Sequence, residues 1–339
     1  MIRDCHALDE LLSRPPAAVV ETMGRLEGDL LVLGVGGKMG PSLAAMARRA
    51  SDSAGVKRRV IGVARFSVPA LEVKLQAQGI ETVRCDLLDE AALNRLPEVP
   101  NVLYLAGMKF GATGRESLTW AMNSYLPCLV CRRFSRSRIV AFSTGNVYGL
   151  TSVQAGGSRE TDPLAPVGEY AMSCVGRERL FEHFSRALGM PVALIRLNYA
   201  CDLRYGVLVD IAQKVQAGAP IDLAMSWFNT IWQGDANAMA LRCFERAATP
   251  PAVVNVTGPE VLNVREVALE FGKRLGRPPV FTGRETDQAL LSDASRAFGW
   301  FGRPTVSAAE LIEWVADWLA SGGPTLNKPT HFESRDGRF

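Results

Sequence analysis

The chain has 339 residues, of which 47% are hydrophobic and 22% charged, a composition that excludes a disordered segment, a collagen-like repeat and a small disulfide-stapled scaffold. Its 38 Lys and Arg against 35 Asp and Glu leave a net charge of +3, interspersed and too balanced for nucleic acid or an anionic membrane to be the expected partner. No run approaches the ~18 apolar residues of a membrane helix, the start Met1-Ile2-Arg3-Asp4 has no basic-then-apolar leader pattern, and seven cysteines, an odd number in mostly apolar surroundings, read as reduced thiols of a cytoplasmic protein.

Leu8–Leu12 and Ala17–Leu26, parted by Pro15-Pro16, predict a helical extension over residues 1–28. From residue 29 to 200 strands and helices alternate. Strands are predicted at Leu30–Leu33, Arg59–Val63, Thr82–Cys85, Asn101–Leu105, Arg138–Phe142 and Val192–Arg196. Helices are predicted at Ser42–Ala50, Val68–Gln78 (Ser67 as N-cap, Pro69 in the first turn), Glu90–Leu96, Glu116–Phe134 and Glu169–Leu188. Such alternation makes an α/β fold, a doubly wound parallel sheet covered on both faces. Beyond Ala200 the rhythm loosens: helices at Val207–Ala217, Asp235–Ala247, Val264–Leu275 and Ala308–Leu319 and a strand at Val253–Val256 predict a smaller lobe over 201–320, with segments returning to the sheet. Residues 321–339, rich in Gly, Pro and polar residues, read as a surface arm. Cys128-Leu129-Val130-Cys131 lies in a helical pattern with no second pair, so no metal site is expected.

The sharpest local signal is Gly34-Val35-Gly36-Gly37-Lys38-Met39-Gly40, which leaves a strand and opens a helix. A pyrophosphate binds where backbone N–H groups and a helix dipole converge, and side chains there would block it. These residues therefore predict a dinucleotide site. At the end of the second strand, where an acidic residue would bond the ribose 2′-OH, the chain has Ala64-Arg65. Arg65, with Lys38 adding charge, suits a 2′-phosphate, so NADP is favoured over NAD.

Taken together the motifs resemble those of the extended short-chain dehydrogenase/reductases, the NAD(P)-dependent sugar epimerase/dehydratase group, over residues 29 to 320. Gly34, Gly37 and Gly40 meet its glycine motif, Asp86-Leu87 its adenine contact, Leu105-Ala106-Gly107 its fourth-strand end and Asn123 its helix Asn. Phe142-Ser143-Thr144-Gly145-Asn146-Val147-Tyr148-Gly149 matches its fifth-strand motif. The resemblance implies a Rossmann-type cofactor domain with a smaller C-terminal substrate-binding lobe. It also implies Tyr170 as acid/base, Thr144 as the hydroxyl that orients it, and a homodimer through Glu116–Phe134 and Glu169–Leu188.

The family's Y-x-x-x-K reads here Tyr170-Ala171-Met172-Ser173-Cys174. The Lys that would lower the phenol's pKa is a Cys. Three readings follow: hydride chemistry is lost, the oxidised nicotinamide's own charge activates Tyr170, or another cation substitutes. Lys109, soon after the fourth strand, is the candidate cation. Gly145 and Asn146 stand where water-eliminating members carry Asp-Glu, which leaves oxidation, reduction or epimerisation through a keto intermediate. Asn146, Asn198, Arg204, Tyr205 and Trp232 are the expected substrate contacts with Thr144, and the substrate class is a sugar, sugar acid or nucleotide-sugar. The alternative, from another class, is a catalytically silent dinucleotide-binding sensor or scaffold.

Overall fold

The computed structural model describes residues 2–109, 111 and 113–337. Met1 and residues 338–339, at the tips of the extension and the arm, lie outside the described residues. The centre is a seven-stranded sheet. Its strands are β1 (Leu30–Leu33), β2 (Val60–Ala64), β3 (Glu81–Arg84), β4 (Asn101–Tyr104), β5 (Arg138–Thr144), β6 (Val192–Leu197) and β7 (Ala252–Val256). They run parallel in the order β3-β2-β1-β4-β5-β6-β7. Central strands of such a sheet are covered on both faces, and Leu30, Leu31, Val32 and Leu33 are all fully buried. Leu33 stands level with Val63 on one side and Tyr104 on the other. The chain therefore leaves β1, β2 and β4 at one edge, at the switch point where strand order reverses and a crevice opens.

Helices cover the sheet: α1 (Cys5–Leu12), α2 (Ala17–Arg25), α3 (Gly40–Ser53), α4 (Pro69–Ala77), α5 (Glu90–Asn94), α6 (Glu116–Trp120), α7 (Leu126–Arg133) and α8 (Gly168–Leu188). The predicted helix Val68–Gln78 starts one residue late, with Val68 as an uncapped N-cap and Ser67 outside it, because Pro69 fixes the first turn. The predicted continuous helix Glu116–Phe134 is α6 and α7 joined by a π-turn, Ala121–Tyr125. Pro127 supplies no N–H to the Asn123 carbonyl one turn back, and Arg177 Nε donates to that oxygen instead, at 3.4 Å.

The later half follows as α9 (Val207–Ala217), α10 (Gln233–Arg242), α11 (Val264–Leu275), α12 (Ser295–Phe301) and α13 (Ala308–Ala320). It divides between two cores. Met239, Leu241, Val254, Val256 and Ala297 pack into the sheet's core with Val19 and Met23 of α2. Leu208, Ile211, Val267, Phe271, Val315 and Trp318 form a second core with Leu8 and Leu12 of α1. Phe332 is buried in that second core too, so the residues beyond Ser321, read as a surface arm, dock into the lobe. Their composition hides this because a single aromatic supplies the anchor.

Candidate active site

Two adjoining cavities open at the carboxyl edge of the sheet. The first, about 280 Å³, lies over β1, β2 and β4 and is lined by Gly34, Gly36, Gly37, Arg65, Asp86, Leu87, Leu105, Ala106 and Gly107. Gly34 turns the chain at φ +87°, and a Cβ there would sit 2.8 Å from the Ala106 nitrogen. A Cβ on Gly40 would sit 2.3 Å from the Val35 carbonyl. The bare loop thus lets β4 and α3 close on it while Gly36 and Gly37 present backbone to the cavity. Arg65 and Asp86 are exposed on its rim. This cradle fits the adenosine and pyrophosphate of a dinucleotide.

Lys38 does not join Arg65. Its side chain turns to the other cavity, where Nζ donates to the Ala200 carbonyl at 2.6 Å and lies 4.2 Å from the centre of the Tyr205 ring. The expected second cation for a 2′-phosphate is therefore elsewhere, because Lys38 precedes α3 on the side facing the lobe. Asn123 lines neither cavity. It accepts from Met108 N–H at 2.8 Å and donates to the Met108 carbonyl at 2.9 Å, holding the loop after β4 in place.

The second cavity, about 240 Å³, gathers Lys38, Met39, Gly40, Lys109, Thr144, Asn146, Tyr170, Asn198 and Tyr205. Tyr170, in the first turn of α8, lines this cavity with Thr144 at the end of β5, and Thr144 and Cys174 both act on its phenol. Burial pushes the phenol well above its ordinary value. Cys174 adds to the rise, while Arg177 and Thr144 oppose it. Lys109 Nζ lies 5.8 Å from the centre of the Tyr170 ring, and burial lowers its ammonium to about 8. Cys174 is fully buried, with Val147 and Tyr148.

Arg177 escapes sequence reading, although its place seven residues after Tyr170, two turns down one helix face, was a signal. It is buried, donating to the Phe142 carbonyl at 2.8 Å and to Asn123 Oδ1 at 2.6 Å. A Cβ at Gly107 would lie 2.4 Å from its Nη2, so the glycine that ends the fourth-strand motif leaves room for this guanidinium. Gly145 does the same for Asn198, whose Oδ1 would lie 3.0 Å from a Cβ there. Asn198 Nδ2 in turn donates to Asn229 Oδ1 at 2.8 Å.

Two expected substrate contacts lie off the cavity. Arg204 pairs with Asp9 of α1 at 3.0 Å and Asp202 at 3.1 Å, since those carboxylates flank its loop. Trp232 is 3% exposed and packs edge-on against Trp314, centroids 5.5 Å apart, so the lobe's core claims it. Asp210 and Thr330, which the sequence reading passed over, stand beside the cavity: Thr330 lines it and bonds Asp210.

A family model described as "NAD dependent epimerase/dehydratase family" matches residues 30–201. No curated protein matches the chain. Among solved structures, a UDP-glucuronic acid 4-epimerase from Bacillus cereus in complex with UDP-glucuronic acid and NAD is 17% identical, with 86% of this chain and 99% of that one covered at a TM-score of 0.71. A UDP-glucose 4-epimerase with UDP-glucose from Thermotoga maritima is 18% identical, covering 87% and 99% at 0.70. A dTDP-glucose 4,6-dehydratase from Bacillus anthracis in complex with NAD is 15% identical, covering 87% and 97% at 0.71. At these identities the likeness is one of fold.

Proposed function

The chain belongs to the NAD dependent epimerase/dehydratase family, and from that premise we propose that it is an NAD(P)-dependent oxidoreductase or epimerase acting on a sugar, sugar acid or nucleotide-sugar through a keto intermediate. The observation that carries this reading is that Tyr170 and Thr144 line one cavity adjoining the glycine cradle. A bound dinucleotide would supply hydride acceptance or donation. Gly34, Gly36, Gly37 and Gly40 would admit its pyrophosphate, and Arg65, Asp86 and Leu87 its adenosine end.

The protein's part is to place a proton. In the raised state of Tyr170 the phenol keeps its proton at neutral pH, so its first role is donation to a substrate carbonyl oxygen as charge develops there. Thr144 stands beside Tyr170 in the cavity and donates to Asn146 Oδ1 at 2.9 Å. For the reverse direction the phenol must give up its proton. Lys109, an ammonium below about 8, is the cation in the cavity that would favour that loss. Asn146 and Asn198 offer amides to sugar hydroxyls. The absence of an Asp-Glu pair at Gly145 and Asn146 goes with Asn198 filling the space beside Gly145, which supports redox or epimerising chemistry over water elimination.

NADP is favoured over NAD, now on Arg65 alone. Comparing the two dissociation constants tests this: NADP binds more tightly, and clearly tighter NAD binding would reverse the preference. For the chemistry, Tyr170→Phe is expected to lower turnover by about 10²–10⁴-fold while leaving dinucleotide affinity within a few-fold; unchanged turnover would overturn the role of Tyr170. A homodimer through the α6–α7 segment and α8 belongs to the same reading.

A further inference from the structure

The two cavities meet at Gly37 and Leu105, which line both. A pyrophosphate seated on the glycine loop, with its adenosine in the first cavity, leaves the second cavity to the nicotinamide half, beside Tyr170. Of α8, Tyr170 lines that second cavity. Cys174 is fully buried beside Val147 and Tyr148, and Arg177 turns to the Phe142 carbonyl and to Asn123. The helix therefore brings no cation to the wall that the nicotinamide half would face.

Lys38 brings one from the opposite wall. It stands between Gly37 and Met39, the N-cap of α3, so its own backbone lies where the pyrophosphate would sit. Its Nζ donates to the Ala200 carbonyl at 2.6 Å and lies 4.2 Å from the centre of the Tyr205 ring. These two contacts fix the ammonium inside the second cavity. An ammonium has three donors, and the Ala200 carbonyl takes one. The nearby carboxylates are engaged elsewhere: Asp202 is paired with Arg204 at 3.1 Å, and Asp210 accepts from the Thr330 hydroxyl at 2.6 Å. Burial draws the Lys38 ammonium below its ordinary pKa, and those two carboxylates oppose the fall. A cation held in so dry a place makes stronger hydrogen bonds to entering phosphate or hydroxyl oxygens than one in solvent.

Resting on the reading of the loop as a dinucleotide site, we infer that Lys38 binds the nicotinamide half of the dinucleotide, donating from Nζ to its phosphate and ribose oxygens. Calorimetric titration of the full chain with AMP, ADP-ribose, NAD and NADP tests this. AMP ends at the adenosine-side phosphate, whereas ADP-ribose adds the second phosphate and ribose without nicotinamide. Lys38→Met keeps most of the side chain's length and removes its charge. It is expected to weaken ADP-ribose and both dinucleotides by about tenfold or more, the worth of hydrogen bonds from a charged donor, and to leave AMP within about twofold of native. Dinucleotide affinity that Lys38→Met leaves unchanged would overturn the inference. So would an equal loss for AMP, which would make Lys38 a packing residue of the whole loop. A crystal structure of the native protein with dinucleotide tests the same point without a variant. A phosphate or ribose oxygen of the nicotinamide half is expected within about 3.2 Å of Nζ, and a complex with every such oxygen beyond about 4 Å would contradict the assignment. Native protein that binds neither dinucleotide nor ADP-ribose would remove the reading of the loop itself, whereas native binding indifferent to Lys38 removes the role of Lys38 alone.

Discussion

Cys174 removes from the first turns of α8 the ammonium that would favour a Tyr170 phenolate, and two other cations stand near. Arg177 acts on the phenol from behind, within α8. Lys109 faces it across the cavity. Arg177→Met takes away the first. It also removes the Arg177 donors to the Phe142 and Asn123 carbonyls, while Asn123 Oδ1 keeps the Met108 N–H, and an orphaned buried acceptor costs about 1–3 kcal/mol. Urea unfolding is expected to show that loss, and the Tyr170 limb of the pH–rate profile to move upward; an unmoved limb would assign Arg177 to packing alone. Lys109 has the opposite sense. Its ammonium is charged below about 8 and neutral above, so turnover that depends on this cation is expected to hold at lower pH and fall as pH rises through about 8. Lys38, Asp210, Cys174 and Tyr170 also face this chamber, so the inflection belongs to Lys109 only if Lys109→Met removes it, as titrations from pH 6.5 to 9.5 would show.

At the scale of elements, the glycine loop is held as much by packing as by ligand chemistry. Gly40→Ala drives a Cβ to 2.3 Å from the Val35 carbonyl, so α3 must shift. Overpacking of this kind costs about 1–3 kcal/mol, and dinucleotide affinity is expected to fall with it. Gly299→Ala, in α12 with nothing within 4 Å of the new Cβ, is expected to be neutral or stabilising by up to about 1 kcal/mol; equal losses from both would contradict the packing argument. Strands and loop were legible because apolar runs such as Leu30–Leu33 and glycines at a strand–helix junction are local signals. Thr144 and Tyr170 were legible through motif likeness. What stayed hidden is set by partners distant in sequence: Arg177 fits because Gly107 is bare, Asn198 because Gly145 is, and the π-turn at Ala121–Tyr125 is completed by Arg177. The misplaced contacts share that cause. Arg204 meets Asp9 from the far end of the chain, and Lys38 meets Ala200.

For the whole molecule, the extension ties the two cores together, with α1 beside Phe332 of the arm in one and α2 in the other. No helix among the described residues is long and apolar enough to cross a membrane. Trp120, Tyr125 and Met172 stand 39%, 48% and 45% exposed on the α6–α7 segment and α8, apolar area that a second copy would cover. Light scattering is expected to give twice the 36.8 kDa chain mass at micromolar concentration, and a monomer would contradict the dimer. The central claim is that Tyr170 moves protons in a chain that carries Cys174 where the Y-x-x-x-K motif has its lysine. Its most direct test incubates purified protein with dinucleotide and a panel of sugars, sugar acids and nucleotide-sugars, follows absorbance of the reduced cofactor and resolves the sugar products by NMR. The account predicts cofactor reduction or a new stereoisomer with native protein and neither with Tyr170→Phe. Tight dinucleotide binding with no redox change and no sugar product would contradict it and make the protein a silent binder.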